Sequence, residues 1–177
     1  MIHQAQYKFL EKELSPKVIV EAVKLCGTRE IVGKQHSKEI LSWAKELGLD
    51  KTYTNDEIPW CGLYTAIVIK RAGFQVVSKP LWARDWINFG TKQSEAMLGD
   101  VLVFTRPGGG GHVGFYVGED DTCYHVLGGN QSNMVNTTRI LKSRCIAIRR
   151  CDWKVSQPKN VRKVKLNSNG SISTNEA

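Results

Sequence analysis

A chain of 177 residues, 41% hydrophobic and 24% charged, has the make-up of a single globular domain long enough to bury a core without disulfide or metal staples. Its 25 Lys and Arg against 17 Asp and Glu leave a net charge of +8, which attracts anionic partners and says nothing about fold. No apolar run approaches the ~20 residues of a membrane span, and Met1 to Glu13 interrupts its apolar residues with His3, Gln4, Lys8, Glu11 and Lys12, unlike a signal peptide.

The first third reads as helical. Ser15-Pro16 opens a segment in which Val18, Ile19, Ala22, Val23 and Cys26 share a face, and Gly27 stops it. A second helix begins at Ser37, carries Ile40, Leu41, Ala44 and Leu47, and stops at Gly48. Between the two lies a turn, Gly27 to Gly33, whose Glu30 either caps structure or contacts a substrate.

A third helix follows Pro59, which suits a first turn because its missing N–H has no intrahelical partner, and Asp56 and Glu57 lie just upstream. Leu63, Ala66, Ile67 and Ile69 recur at helical spacing up to Gly73. Cys61 therefore falls in the first turn, where unpaired N–H groups and the positive end of the helix dipole favour thiolate, the nucleophilic form. Downstream, Leu81 to Gly90 reads as a short helix with Trp82, Trp86 and Phe89 on one stripe, a pattern of core packing from which Trp82 or Arg84 can still line a cleft.

The sheet begins at Leu98 to Phe104. Pro107 and Gly108 to Gly111 then form a flexible hairpin; with no Gly-Lys-Ser/Thr and no following helix, this is not a phosphate loop. In Gly111 to Gly118 the residues Val113, Phe115 and Val117 alternate with His112, Gly114 and Tyr116, so one face is core and the other carries the histidine. Gly114 leaves room for a helix end to approach. His112 thus stands where a general base for Cys61 is needed. Further strands are expected at Cys123 to Leu127, Met134 to Thr138 and Cys145 to Arg150, closing a small antiparallel, barrel-like sheet. The class is α+β with helices leading.

Five cysteines, at 26, 61, 123, 145 and 151, show no metal-ligand pairing, and their odd count argues for reduced thiols. Cys26, Cys123 and Cys145 lie in apolar neighbourhoods, whereas Cys151, after Arg149 and Arg150, reads as exposed. No metal and no cofactor is called for.

Three stretches in this order, PWCGLYTAIVIKRAGF, LGDVLVFTRPGGGGHVGFYVGED and YHVLGGNQSN, resemble the CHAP and NlpC-type cell-wall cysteine hydrolases of the papain-like superfamily, in particular a small phage and bacterial group related to CHAP domains. The match spans about Glu30 to Arg150. The resemblance implies a papain-like fold in which N-terminal helices pack on a small antiparallel sheet. It makes Cys61 the nucleophile, His112 the base, and a polar residue on or after the next strand the orienter of the imidazole.

Two positions compete for that last role: His125, 13 residues after His112, at NlpC-type spacing, and Asn130, 18 residues after it, which resembles the Asn of CHAP-type enzymes. Asn130 is preferred because the preceding Gly128-Gly129 suggests a backbone shaped to place one polar side chain; either group can hold a tautomer. Many CHAP domains carry Gln before the Cys, where this chain has Trp60. The second oxyanion donor is thus open among Tyr53, Asn55 and Gln131. Trp60, Trp82, Gln131 and Glu30 are the candidate substrate contacts.

From Arg139 to Lys165 ten cations face Asp152 alone, a surface suited to anionic cell-envelope polymers; without a nucleic-acid fold or interleaved aromatics it does not point to nucleic acid. Residues 1–155 are expected to form the catalytic domain and 156–177 a basic, flexible tail.

The expected function is peptidoglycan hydrolysis by a monomer. Cys61 attacks an amide, as N-acetylmuramoyl-L-alanine amidase or as peptidoglycan endopeptidase, in a phage endolysin-like lysis enzyme. Such an enzyme is made in the bacterial cytoplasm without a signal peptide, and reaches the wall or periplasm after release or in a phage particle. The rival expectation is a non-catalytic wall- or polyanion-binding structural protein that keeps the fold.

Overall fold

A computed structural model describes residues 2, 4–12, 14–33, 35–153 and 156–174. Lys154, one of the ten C-terminal cations, and His3 and Glu13 of the N-terminal segment lie outside the described residues.

Helices lead and a sheet follows. After a 3-10 turn, Ala5–Tyr7, come α1 (Phe9–Lys12), α2 (Lys17–Lys24), α3 (Lys38–Leu47) and α4 (Cys61–Arg71). Ser37 caps α3 by accepting from Ile40 N–H at 3.4 Å, and Gly48 ends that helix with φ 72°, the left-handed conformation that glycine adopts without a Cβ penalty. In α4 every residue from Cys61 to Ile69 is buried, so this helix runs through the middle of the molecule.

The six strands are β1 (Thr91–Lys92), β2 (Val101–Thr105), β3 (Gly111–Glu119), β4 (Cys123–Gly128), β5 (Asn136–Leu141) and β6 (Cys145–Arg150). They form one antiparallel sheet in the order β1-β6-β2-β3-β4-β5. The class is therefore α+β. The expected closure into a barrel does not occur: β5 lies at one edge and β6 near the other, four strands apart in the ladder, so they cannot pair with each other.

Both faces of the sheet are covered, which is why β3 is buried along both sides of its alternation. Val101, Val103, Val113, Phe115, Val117 and Leu127 join α2, α3 and α4 in the main core, while Leu102, Phe104, Tyr116, Val126 and Ile140 form a smaller cluster behind. An aromatic chain fixes α4 between its neighbours: Trp43 of α3 meets Trp60 and Tyr64 at 6.1 and 6.2 Å between ring centroids, and Tyr64 meets Phe115 of β3 edge-on at 6.0 Å. The Tyr64 hydroxyl also donates to Ala22 O of α2 at 3.1 Å. These contacts set the height of the α4 N-terminus over β3.

The stretch Leu81 to Gly90 contains a 3-10 helix, Ala83–Asn88. Its stripe divides: Trp86 and Phe89 are buried and packed together, whereas Trp82 is 72% exposed.

The C-terminal segment differs from the flexible tail expected from its Ser/Asn content. Within 156–174 the chain pairs in parallel with Glu119 at Lys165 and with Arg139 at Ile172. Glu119 N–H donates to Val164 O and Leu166 N–H returns to Glu119 O, both at 2.9 Å. Leu166 lies over Gly118, where a Cβ would stand 2.3 Å from its Cδ1. Two apolar residues, Val161 and Leu166, together with sheet-edge hydrogen bonds, outweigh the polar composition.

Several of the C-terminal cations are paired within the fold, although Lys163 and Lys165 remain 45% and 62% exposed. Arg139 and Arg150 are buried on Asp120 and Asp100, and Lys142, Lys163 and Lys165 converge at 3.0 to 3.3 Å on the buried carboxylate of Glu119. Arg144 and Arg149 donate to the carbonyls of Thr105 and of Phe89 and Gly90. Run composition counted these charges as solvated because their partners lie far away in sequence. Cys151, read as exposed, is 4% exposed and packs in the core. No helix among the described residues is long and apolar enough to cross a membrane.

Candidate active site

The helix start puts Cys61 at its first residue, with Trp60 as an uncharged cap and no acidic side chain in the first turn. Asp56, upstream, serves another purpose. Buried completely, it accepts from the backbone N–H of Ile31 and Ser37 and from His36 Nδ1, so it shapes the 31–37 loop instead of the helix start. Burial alone would raise its pKa; those N–H donors outweigh it and hold the carboxyl below the usual range.

Gly62 permits the next contact. A Cβ there would stand 2.3 Å from Pro80 O and 2.9 Å from the Leu81 backbone, so the loop leading to Trp82 lies directly on the first turn of α4. On the opposite side Trp60 is fully buried, and its indole Nε1 donates to Glu30 Oε2 at 3.1 Å. Trp60 is therefore a core residue, not a substrate contact, and Glu30 anchors it.

His112 occupies the start of β3, opposite Phe104 of β2, and their rings lie 6.5 Å apart. The β3–β4 ladder begins only at Phe115↔Leu127. The Cys61 sulfur reaches β3 beside the histidine, where the backbone N–H of Val113, the residue after His112, is directed at it. The thiol is 4% exposed and the imidazole fully buried. Burial pushes the Cys61 thiol up, while the N–H groups of Val113, Gly62 and Cys61 itself and the Arg106 guanidinium draw it down. The net direction is upward, the reverse of what the first-turn position alone predicts, because desolvation outweighs the helix end.

Neither expected orienter contacts His112. Gln131 does: its Oε1 lies 3.0 Å from His112 Nε2, and both side chains are fully buried. The amide's orientation follows from its other end, where Nε2 donates to Val126 O, Asn136 O and Asn136 Oδ1 at 3.2, 2.6 and 3.0 Å. With three acceptors around the nitrogen, the oxygen must face the imidazole, and an amide oxygen can only accept. His112 is thus held as the Nε2–H tautomer, with Nδ1 as the basic nitrogen.

Asn130, the preferred orienter, sits one residue short. Its backbone adopts φ 57°, and its buried Oδ1 has no hydrogen-bond partner among the described residues. Ser132 and Asn133 are left-handed as well, at 53° and 60°. Asn is the side chain best suited to that conformation after Gly, so its presence here reflects a tight turn. The paired glycines, expected to shape the backbone that places Asn130, instead leave space for neighbouring side chains. A Cβ at Gly128 would lie 2.8 Å from Gln131 Oε1 and 3.1 Å from His112 Nε2, and one at Gly129 would lie 2.5 Å from Tyr64 Cβ and 2.8 Å from the Trp60 ring.

His125, the other candidate, belongs to a separate buried network. Its Nε2 is 2.9 Å from Asp120 Oδ2 and its Nδ1 is 2.7 Å from Tyr7 Oη, while Arg139 Nε donates to Asp120 at 2.8 Å. Burial lowers the His125 pKa against the opposing pull of Asp120. The expected helix-end approach at Gly114 is likewise an approach of β4: a Cβ would meet Val126 Cγ1 at 2.7 Å and Leu127 O at 3.0 Å.

Of the three oxyanion candidates, Gln131 has its amide nitrogen committed, and the Tyr53 hydroxyl donates to Ile58 O at 3.1 Å. Asn55 is half-buried. The N–H groups of Cys61 and Gly62, at the open end of α4, already face the thiol. The described residues contain no group of three or more His, Cys, Asp or Glu that could hold a metal ion.

Comparison with protein-family models, with curated proteins and with solved structures finds no match to this chain.

Proposed function

We propose that the chain is a cysteine amide hydrolase of papain-like design that cleaves peptidoglycan. One observation carries the chemical half of this reading: a buried side-chain amide, locked by three acceptors, accepts from Nε2 of His112, on the strand that approaches a cysteine at the first residue of a buried helix. The wall substrate is inferred from the likeness of the Pro59 to Tyr64, Gly111 to Gly118 and Gly128 to Gln131 stretches to cell-wall hydrolases.

In the proposed reaction Nδ1 of His112 takes the Cys61 proton as the sulfur attacks the amide carbonyl. Backbone N–H groups of Cys61 and Gly62 supply the positive end of α4 to the developing oxyanion. His112 then protonates the leaving amine. Water, deprotonated by the same nitrogen, attacks the thioester and frees the acid, returning the proton to sulfur. Gln131 acts through His112 and is a positioning residue.

The rival reading, a polyanion binder, needs a free cationic surface, and the pairing of buried Arg139 and Arg150 with Asp120 and Asp100, and of Lys142, Lys163 and Lys165 with Glu119, neutralises part of it. The test is mass spectrometry of soluble products from purified, lipid-stripped peptidoglycan, with Cys61→Ala alongside. Sugar-free peptides identify an amidase and shortened or uncrosslinked muropeptides an endopeptidase. No product from several wall chemistries refutes the reading.

A further inference from the structure

β2 leaves the sheet at Thr105, whose ladder partner is Gly111, so the Arg106–Gly110 turn begins directly beyond the Phe104↔His112 pair. Arg106 opens it: its carbonyl accepts from Gly109 N–H at 3.1 Å, and Gly108, Gly109 and Gly110 all adopt positive φ, 79°, 101° and 76°. Arg84, from the 3-10 helix, closes the other end by donating from Nε to Gly110 O at 2.7 Å. The turn is thus held at both ends, and Arg106 is carried on its fixed side next to the start of β3.

The arginines of the sheet and its flanks have internal acceptors: Arg139 has Asp120, Arg150 has Asp100, Arg144 has Thr105 O and Arg149 has Phe89 O. Arg106 is the exception. It is half-buried, and among the described residues its guanidinium meets no carboxylate or carbonyl. Its charge is nevertheless felt at the Cys61 sulfur. A partly desolvated guanidinium with no counter-ion is unfavourable on its own, and its planar fork matches a carboxylate.

We propose that Arg106 is the specificity-determining residue of the Cys61 site, binding a carboxylate on the substrate next to the scissile amide, so that the preferred substrates are anionic acyl peptides. This deepens the hydrolase reading and rests on it for the reaction, although recognition of an anion at the thiol can be measured without any hydrolysis.

The probe is a pair of small alkylating agents that differ only in charge, iodoacetate and iodoacetamide. In both, the Cys61 thiolate forms the S–C bond and iodide leaves. The rate at Cys61 is followed by peptide mass, with N-acetylcysteine and glutathione in the same solution as reference thiols. A change in thiolate content alters both rates alike, so their ratio isolates recognition of the charge. Arg106→Gln is expected to lower the iodoacetate-to-iodoacetamide ratio at Cys61 by about three- to tenfold, with no change at the reference thiols, and Arg106→Lys to retain most of it. An unchanged ratio in a folded Arg106→Gln protein overturns the proposal, as does a wild-type Cys61 that takes up neither reagent, because an anion-accepting space must then be absent. Should Arg106→Gln fail to fold, the comparison of wild type with Arg106→Lys at 0.05 and 0.5 M salt, about a threefold change in screening length, decides it: a ratio insensitive to salt in both refutes the charge. A positive ratio with no release of wall products would leave anion recognition standing and refute the hydrolase.

Discussion

The oxygen of Gln131 lies 3.0 Å from Nε2 of His112, and the nitrogen of the same amide is held by Val126 and Asn136. One buried side chain therefore decides which nitrogen of the imidazole is basic. Replacing Gln131 with Ala leaves the ring free to rotate and to exchange tautomers. The expected loss in kcat is on the order of 10- to 100-fold, part of what general acid–base catalysis supplies, with KM little changed. Asn130→Gly relieves a left-handed backbone at φ 57° and is expected to keep both activity and stability. Steady-state kinetics of the two variants separate the positions: an inert Asn130→Gly with a fully active Gln131→Ala would reverse the assignment.

The two glycines before them should respond differently to a methyl group. At Gly129 the added carbon would press on Tyr64 and Trp60, and overpacking of this kind costs about 1–3 kcal/mol, read as a lower urea midpoint. At Gly128 it would press on Gln131 Oε1 and His112 Nε2. Activity should then fall out of proportion to stability, since the hydrogen bond between those atoms is what must move.

Three thiols, Cys151 buried and Cys26 and Cys145 half-buried, set an alkaline limit. Burial pushes Cys26 and Cys151 up to about 12 and Cys145 up to about 11, from an ordinary value of 9.0. Above pH 9 the unfolded chain loses these protons while the native state keeps them, so the unfolded state binds fewer protons and stability falls as pH rises. Their contribution is complete below pH 9 and declines between about 9 and 12. Urea melts from pH 8 to 11 check the sign, and Cys26→Ala should flatten the slope.

Asp120 joins the β4 network to the C-terminal segment through Arg139, which also donates to Gly170 O at 2.6 Å. Burial would raise the Asp120 carboxyl, but Arg139, His125 and two backbone N–H groups outweigh it and hold it well below the carboxylate range. Stability from this group is present above an ordinary Asp value and lost as pH falls below it. Arg139→Met leaves the carboxylate buried with a neutral imidazole and should cost about 3–5 kcal/mol. It should also release residues 160–174 to protease before the sheet is cut, which limited proteolysis with mass mapping will detect.

Much of this layout was legible in the sequence. Helical spacing around Leu63 to Ile69, the stops at Gly48 and Gly73 and the alternation through Val113, Phe115 and Val117 all report local burial patterns, and burial is what organises those elements. Cys61 and His112 were legible for the same reason: each sits at a recognisable end of a regular element. Gln131 was legible only as an oxyanion donor or substrate contact; its place beside His112 was not, because the turn that brings its side chain there depends on left-handed residues at 130, 132 and 133, and Asn at 130 was read for its amide when its backbone tolerance was the relevant property. The basic segment misled in a similar way. Its neutralising carboxylates, Asp100, Glu119 and Asp120, are brought to it only by strand pairing across the sheet. Arg106 could be found only once the hairpin was placed, and Tyr53, an oxyanion candidate in the sequence, is committed to Ile58 O by a loop that the sequence does not place.

The most direct measurement is peptide mapping of the protein quenched in acid during turnover of soluble wall fragments. A thioester on the Cys61 peptide is expected, formed by wild type within one turnover, absent from His112→Ala, and lost on treatment with hydroxylamine. Product release by wild type with Cys61 unmodified at every time, together with undiminished release by Cys61→Ala, would contradict catalysis by this cysteine.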